Sequence, residues 1–448
     1  MKIAHALHAF PPDSRAGSEN YVEALARAQA ERHDVVVFHR TADSARPEYA
    51  VDDGVHEGLR VARLNRTFRD LASFAETYES APAARAFGAF LDRERPDVVH
   101  FHHVTCLSTT CVDEAKRRGI RVVFTLHDFW LACPRGQRLR DDLAPCPSHA
   151  RADCVRCVAM QLRVRGGHAR ARALLERARW LADLRLPRAL YRRIAARPFA
   201  REDDAVAQIA ARERAVRAMC EQVDLFVSPS HFLRGVFVGE GLVDPARIVV
   251  SDNGFDLAPW KGFARAPRTA GAPLRAAYLG TWIPSKGVHL LLEAFRGIDP
   301  ARATLDVHGH AVPFDGFDDY EGALRRLAAG APHIRLGARY APADVPRLLA
   351  AADVLVVPSL WYENSPLTIH EAFLAGLPVV AADHGGQREF VGDTGAGLVF
   401  APADARALRA AIERLAADPA LLDRLRARVP AVKDVRDHAR ELEAMYAA

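Results

Sequence analysis

The sequence predicts an α/β protein built from two Rossmann-like, doubly wound domains that face each other across a cleft. Short apolar strand patterns alternate with helical ones along most of the chain, as in parallel sheets covered on both faces. The alternation occurs twice, on either side of a Pro-, Gly-, Lys- and Arg-bearing stretch at 259–273. The halves also echo each other: Asp224-Leu-Phe-Val-Ser-Pro-Ser230 and Asp353-Val-Leu-Val-Val-Pro-Ser359 are both apolar runs ending in Pro-Ser. A length of 448 residues, at roughly 100–200 per domain, agrees with two or three domains.

The elements follow in order. Residues 2–9 read as a buried first strand and 11–17 as a turn. Residues 19–32 place Tyr21, Val22, Leu25 and Ala28 at helical spacing. The runs at 34–39, 97–102 and 121–126 read as buried parallel strands, with a helix at 111–118 between the last two. Residues 131–222 break this rhythm. They hold a cysteine-rich loop (133–157) and a basic helical stretch (163–219), and read as an insertion in a first domain spanning 1–258. Within that domain the α/β pattern resumes at 224–230, and 248–250 is a further strand. The linker at 259–273 leads to a second domain at 274–433. Its strands fall at 274–279, 304–308, 334–336, 354–357 and 379–381, with helices at 288–295, 368–375 and 408–429. A terminal helix occupies 434–446, within a last segment 434–448.

Composition narrows the function classes. Half the residues are hydrophobic and the net charge is +5, which fits a folded protein and does not by itself point to nucleic acid. Only five of the 61 basic residues are Lys, so each Lys in a motif draws notice. The longest uncharged apolar runs reach about a dozen residues, short of the roughly 20 needed to span a bilayer. The N-terminus turns polar too soon for a signal peptide. Seven Cys is an odd count for a disulfide framework. Together these place the chain in the cytoplasm.

In open parallel sheets, ligands bind beyond the carboxyl ends of the strands. The segment after 354–357 is the richest there. It carries Trp361 and Tyr362, which either line the cleft to stack on a sugar or close the core, then Glu363-Asn-Ser365-Pro366-Leu367-Thr368-Ile-His-Glu371. Ser365 suits an N-cap and Pro366 a first helical position. The free N–H groups of Leu367 and Thr368 would then face the cleft as a diphosphate site. Glu363 would lie just before that anion, and Glu371 about one and a half turns into the helix. Spacing alone leaves open that Glu363 is a surface loop residue and Glu371 a solvated helix position.

The stretch from Pro358 to Gly376 resembles the Glu-x7-Glu signature of retaining family 4 (group 1) glycosyltransferases of the GT-B fold. Further matches appear in family order. Gly280-Thr281-Trp-Ile-Pro-Ser-Lys286-Gly287 resembles the family's Gly-Arg-x4-Lys-Gly segment. The Asp353–Ser359 run, Ala375-Gly376-Leu377-Pro378, Gly385-Gly386, Gly17 and Thr125-Leu126-His127-Asp128 resemble its other landmarks. The resemblance spans nearly the whole chain. It implies that the first domain binds the acceptor and the second a nucleotide-sugar donor. Lys286 would neutralise the diphosphate, Glu363 contact the transferred sugar and Glu371 bind the ribose. The backbone over Ser365, Pro366, Leu367 and Thr368 would cradle the β-phosphate. Gly17 and Gly280 would approach the donor, and His127 would lie by the reacting sugar. It further implies that the last helix crosses back to the first domain. The chain departs from the family at Thr281, where an Arg is usual; Lys286 acts alone, or Arg339 or Arg388 reaches in. No Asp-x-Asp occurs, so catalysis is expected to need no cofactor or metal. The expected activity is a hexosyltransferase making cell-envelope polysaccharide. A non-hydrolysing nucleotide-sugar epimerase and a non-catalytic nucleotide-sugar-binding scaffold are the alternatives.

Four features lie outside that motif set. Cys133, Cys146, Cys154 and Cys157 fall within 25 residues. Four such thiolates can close a structural zinc site, with His149 as a substitute ligand, or they are unpaired thiols. Between 163 and 201 stand twelve Arg against Glu176 and Asp183, interleaved with Trp180 and several Leu. Such a stretch fits an anionic membrane surface, hence a peripheral position at the inner face of the plasma membrane and a lipid-linked glycan acceptor. It also fits a solvated helix pair. Aromatic residues are too sparse there for nucleic acid. Finally, alternation puts His100 and His102 on one face of the strand end that also carries His103; a metal pair is conceivable there, the resemblance implies a cleft-lining segment near the acceptor, and a plain polar strand end is the other reading. The backbone at 304–310 either approaches the nucleotide base or simply ends a strand.

Overall fold

The computed structural model describes residues 1–69, 71–140, 142–147, 150–158, 202–269, 271–314, 317 and 319–447. His149 and the basic stretch 163–201 lie outside the described residues.

Two sheets organise the chain. The first contains β1 (Lys2–Leu7), β2 (Asp34–Thr41), β3 (Val51–His56), β4 (Leu59–Asn65), β5 (Val98–Phe101), β6 (Arg121–Thr125), β7 (Leu225–Ser228) and β8 (Ile248–Val250). Its order is β3-β4-β2-β1-β5-β6-β7-β8, parallel except for the edge pair β3–β4. That hairpin was not apparent in the sequence, because its first strand is an edge strand of mixed and exposed residues, Val-Asp-Asp-Gly-Val-His. The second sheet contains β9 (Leu274–Leu279), β10 (Ala303–His308), β11 (Ile334–Leu336), β12 (Val354–Val357), β13 (Val379–Ala382) and β14 (Gly397–Phe400). It is wholly parallel, in the order β11-β10-β9-β12-β13-β14.

Each sheet is buried on both faces, which accounts for the uninterrupted apolar strands. β5 and β12 are buried at every position. In the first domain one face packs on the helices Ala81–Glu94 and Cys111–Arg117, the other on the helix Gly17–Ala30. The Asp echo has a structural meaning. Asp224 at the foot of β7 accepts from the Val122 N–H at 2.8 Å, and Asp353 at the foot of β12 accepts from the Arg275 N–H at 3.0 Å. Each carboxylate also takes a cation, Lys116 or Arg275. The same device pins the start of one strand to its neighbour in both sheets.

The terminal helix Val435–Ala447 packs on the helix Gly17–Ala30 of the first domain. Val435, Ala439, Leu442 and Tyr446 join that domain's core. Ion pairs Arg32–Glu443 and Arg436–Glu31 flank the apolar stripe. Cleft geometry therefore depends on a segment 405 to 417 positions away in sequence from the residues it meets.

Candidate active site

Between the carboxyl ends of the two sheets lies a cavity of about 540 Å³. The second domain supplies most of the chemistry. Lys286 ends a short 3-10 turn, Pro284–Lys286, beyond β9, and Gly287 follows with φ +69°. A Cβ on Gly287 would lie 2.0 Å from the Pro358 carbonyl, so only glycine lets this turn sit against the end of β12. That contact carries Lys286 Nζ to within 2.6 Å of Glu363 Oε1. The same oxygen accepts from Ser359 Oγ at 2.7 Å and Trp361 Nε1 at 2.9 Å. The Trp361 ring also lies 5.2 Å from the ammonium. Glu363 is buried, and three donors converge on one of its oxygens; Oε2 has no hydrogen bond among the described residues.

The helix Leu367–Leu374 starts one residue later than the sequence pattern indicates. Pro366 occupies the N-cap position and no side chain caps the helix. Ser365 is drawn away from that role: its hydroxyl donates to Asp252 Oδ1 at 3.0 Å and accepts from Asn253 Nδ2 at 3.1 Å. The result is an uncapped N-terminus whose first residues, Leu367 and Thr368, line the cavity. Such a terminus attracts an anion.

Asp252 also accepts from His370 Nε2 at 2.8 Å, and the Phe255 ring stacks on His370 at 5.0 Å. Burial alone would lower the His370 pKa, but the Asp252 charge and hydrogen bond prevail and raise it. Burial would raise Asp252, yet His370 holds it below the ordinary carboxylate range. Two further contacts join the domains: Asn364 Nδ2 donates to the His127 carbonyl at 2.8 Å, and Glu389 accepts from the His231 and Phe232 N–H groups.

The first-domain wall carries Gly17, His127, Asp128, Trp130 and Arg135. A methyl on Gly17 would lie 3.6 Å from Leu367 Cδ1, so the two domains are nearly in van der Waals contact there. His127 follows β6, with its ring edge-on to Tyr21 at 5.1 Å. Burial pushes its pKa down to about 3, with His103 adding to the effect. Asp128 pairs with His103 Nε2 at 3.1 Å and accepts from the Trp130 N–H at 2.8 Å.

The structure thus brings Gly17, His127, Gly280, Thr281, Lys286, Trp361, Glu363, Ser365, Pro366, Leu367 and Thr368 to one cavity. Some expected residues fall elsewhere. Glu371 is half-buried behind the helix N-terminus and is not among the cavity-lining residues; burial pushes its carboxyl up to about 7, with His370 opposing. His100 and His102 are buried beneath the wall rather than on it, because β5 has both faces covered; only His103 reaches the cleft. Tyr362 packs between Phe129, Phe232 and His384 instead of lining the cavity. Gly309 packs tightly against Gly280: a Cβ on it would lie 1.9 Å from the Gly280 carbonyl. Neither Arg339 nor Arg388 reaches in, since Arg339 is exposed and Arg388 bonds to Asp383 at 2.6 Å. The additional cation on the wall is Arg135, which sequence reasoning missed. Its position in Cys133-Pro-Arg, five residues after Asp128, was the available signal.

Neither Cys133 nor Cys154 forms a disulfide. Cys154 and Cys157 share one face of the short helix Arg151–Cys157. Burial, and then the nearby thiols of Cys133, Cys146 and Cys157, push Cys154 up to about 12. Among the described residues, no helix is long and apolar enough to cross a membrane.

Two family models match the chain: "Glycosyltransferase Family 4" over residues 15–165 and "Glycosyl transferases group 1" over 273–418. A glycogen synthase of Mycobacterium tuberculosis is 36% identical over 42% of this chain and 43% of its own length. The chain thus spans less than half the length of the curated relatives it matches. A sucrose-phosphate synthase from Thermosynechococcus elongatus superposes with a TM-score of 0.65 at 20% identity, covering 100% of this chain and 98% of that one. The Anabaena protein HepE, solved with UDP and glucose, superposes with a TM-score of 0.64 at 17% identity, covering 100% of both chains. These likenesses establish the GT-B fold.

Proposed function

The chain belongs to the family 4 (group 1) glycosyltransferases, and from that premise we propose that it is a retaining glycosyltransferase moving a sugar from a nucleotide-diphosphate sugar to a glycan acceptor. The observation that carries this reading is the Lys286–Glu363 pair beside the uncapped terminus of Leu367–Leu374, with His127 on the opposite wall. The HepE complex with UDP and glucose supports a nucleotide-sugar donor by analogy of fold.

In this reading the bond between the anomeric carbon and the β-phosphate oxygen breaks. The acceptor hydroxyl oxygen takes its place on the sugar, and its proton ends on the released nucleoside diphosphate. Lys286 and the Leu367 and Thr368 N–H groups stabilise the charge gathering on the departing phosphate, with no metal required. The free Oε2 of Glu363 accepts from a hydroxyl of the transferred sugar, and Glu371 serves the ribose. His127 is neutral and close to the reacting sugar. Arg135 supplies a cation in the cavity where the family's usual Arg is replaced by Thr281.

The finer assignments are proposals of the same standing. They are a lipid-linked acceptor, cell-envelope polysaccharide as product, and a cytoplasmic site at the inner membrane face, supported by the basic stretch at 163–201. The four-cysteine group is proposed as a structural zinc site. The test is nucleoside diphosphate release from UDP-, GDP- and dTDP-sugars with and without a lipid extract as acceptor. Glu363→Gln should cut turnover more than about tenfold, the scale of one charged transition-state contact. Unchanged transfer by Glu363→Gln would refute the assignment. Turnover of a donor without acceptor and without diphosphate release would indicate an epimerase, and binding without turnover a scaffold.

A further inference from the structure

Behind His127 a line of buried polar side chains runs through the first domain to the terminal helix. His127 Nε2 meets His102 Nδ1 at 3.1 Å, His102 Nε2 meets His5 Nδ1 at 2.9 Å, and His5 Nε2 meets Gln29 Oε1 at 2.8 Å. Gln29 Nε2 reaches the Tyr446 hydroxyl at 3.2 Å, that hydroxyl meets His100 Nδ1 at 2.6 Å, and His100 Nε2 meets Thr125 Oγ1 at 2.7 Å. His5, Gln29 and His100 have no solvent exposure. Ligand atoms of His5, His100 and His102 lie within 4.8 Å of one another, which invites a metal reading. All six of their ring nitrogens are already committed to these contacts, however. The trio builds a hydrogen-bond relay.

The relay has a direction. Burial pushes His5 down to about 4 and His127 to about 3, and holds His100 and His102 well below their ordinary value, so the rings are neutral. A neutral imidazole has one N–H and one bare nitrogen, so a choice made at one ring propagates to the next. Gln29 makes that choice. Its 3.2 Å contact with Tyr446 fits an N–H donor, at about 2.7–3.2 Å, and is long for an O–H donor, at about 2.5–3.0 Å. The amide N–H therefore donates to the phenol oxygen, and the amide carbonyl faces His5. The phenol O–H is then spent on His100 Nδ1, and the 2.6 Å separation suits a hydroxyl donor. His5 must donate from Nε2 to the carbonyl and accept at Nδ1. His102 must donate from Nε2 and accept at Nδ1. His127 must donate from Nε2.

We infer that Gln29, acting through His5 and His102, holds His127 as its Nε2–H tautomer and presents the bare Nδ1 to the cleft as a hydrogen-bond acceptor. Nδ1 has no hydrogen bond among the described residues, and His127 lines the cavity. The ligand group this nitrogen takes is a hydroxyl that donates, as sugars carry; an acceptor-only atom such as a phosphate oxygen is disfavoured there. Gln29, His5 and His102 are positioning residues. The terminal helix takes part through Tyr446. The role given to Nδ1 rests on the transferase reading, whereas the tautomer does not.

The test is nitrogen-15 NMR of the full chain labelled at histidine, with His127 assigned by loss of its signals in His127→Asn. The expected spectrum is pyrrole-like at Nε2 and pyridine-like at Nδ1. Gln29→Glu, which still accepts from His5, should keep that pattern. Gln29→Leu should release His127 to a mixture of tautomers and slow turnover about two- to tenfold, the range for one neutral hydrogen bond, with donor KM unchanged. A protonated Nδ1 in the unaltered protein overturns the inference, as does an unchanged His127 signal in folded Gln29→Leu. Should Gln29→Leu fail to fold, the unaltered and Gln29→Glu spectra still decide. An inactive but correctly tautomeric protein would count against the transferase reading and not against the relay.

Discussion

Glu371 combines a proposed binding role with a stability cost that can be measured directly. Burial raises its carboxyl from 4.5 to about 7, against the opposing charge of His370. The folded protein therefore holds a proton on Glu371 between about pH 4.5 and 7, where the unfolded chain has released it. Stability falls with pH wherever the folded state binds more protons. The contribution is thus most favourable at or below pH 4.5, declines as pH rises to about 7, and is level beyond. At about 1.4 kcal/mol per pKa unit, the full shift corresponds to about 3 kcal/mol. The side chain keeps some contact with solvent, so we expect about 1.5–3 kcal/mol. Glu371→Gln removes the ionisation while keeping the shape. Denaturant unfolding should show the variant matching the parent near pH 4.5 and more stable by that amount at pH 8. Parallel stability profiles for the two proteins would refute the reasoning. If the carboxylate binds ribose, added nucleoside diphosphate should also stabilise the parent more than the variant, by mass action.

The remaining predictions concern the other parts of the site. Lys286→Met should lower turnover about a hundredfold, the loss expected for one preorganised charge on a leaving group. It should also lower the melting temperature, because Glu363 loses a partner 2.6 Å away; calorimetry and steady-state kinetics read the two effects separately. Asp252→Asn should destabilise the protein most between about pH 4 and 6.5. The raised pKa of His370 makes its contribution complete below about 6.5 and lost at higher pH; the lowered pKa of Asp252 makes its contribution complete above about 3.8 and lost in acid. A melting-temperature deficit that does not vary with pH would count against this pair. Protein purified without chelator should carry about one zinc per chain, the stoichiometry of a four-thiolate site; less than about 0.2 by elemental analysis would end the zinc proposal.

The second domain was the more legible half, for a local reason. Lys286, Glu363 and the helix after Pro366 sit on short connections directly behind strands, so their spacing carries through to their placement. One local error there, Ser365 as N-cap, arose from a tertiary competitor: Asp252 offers its hydroxyl a charged acceptor. In the first domain, spacing was a weaker guide. Alternation put His100 and His102 on one face, but could not tell that the terminal helix covers it. Arg135 lay unremarked in a loop whose course depends on closure by the Phe129 N–H to Gly136 carbonyl bond at 3.1 Å.

By itself, then, the sequence determined the class of fold, the two-sheet division, and most of the second-domain residues that line the cavity. These follow from apolar periodicity and from side chains held on tight turns, both local properties of the chain. Tertiary structure alone decided which oxygen of Glu363 is free, which arginine stands in the cavity, and which nitrogen of His127 is bare. Two of those depend on a partner far away in sequence, Lys286 for Glu363 and Gln29 for His127. Partners of that kind are chosen by packing, and no spacing rule records them.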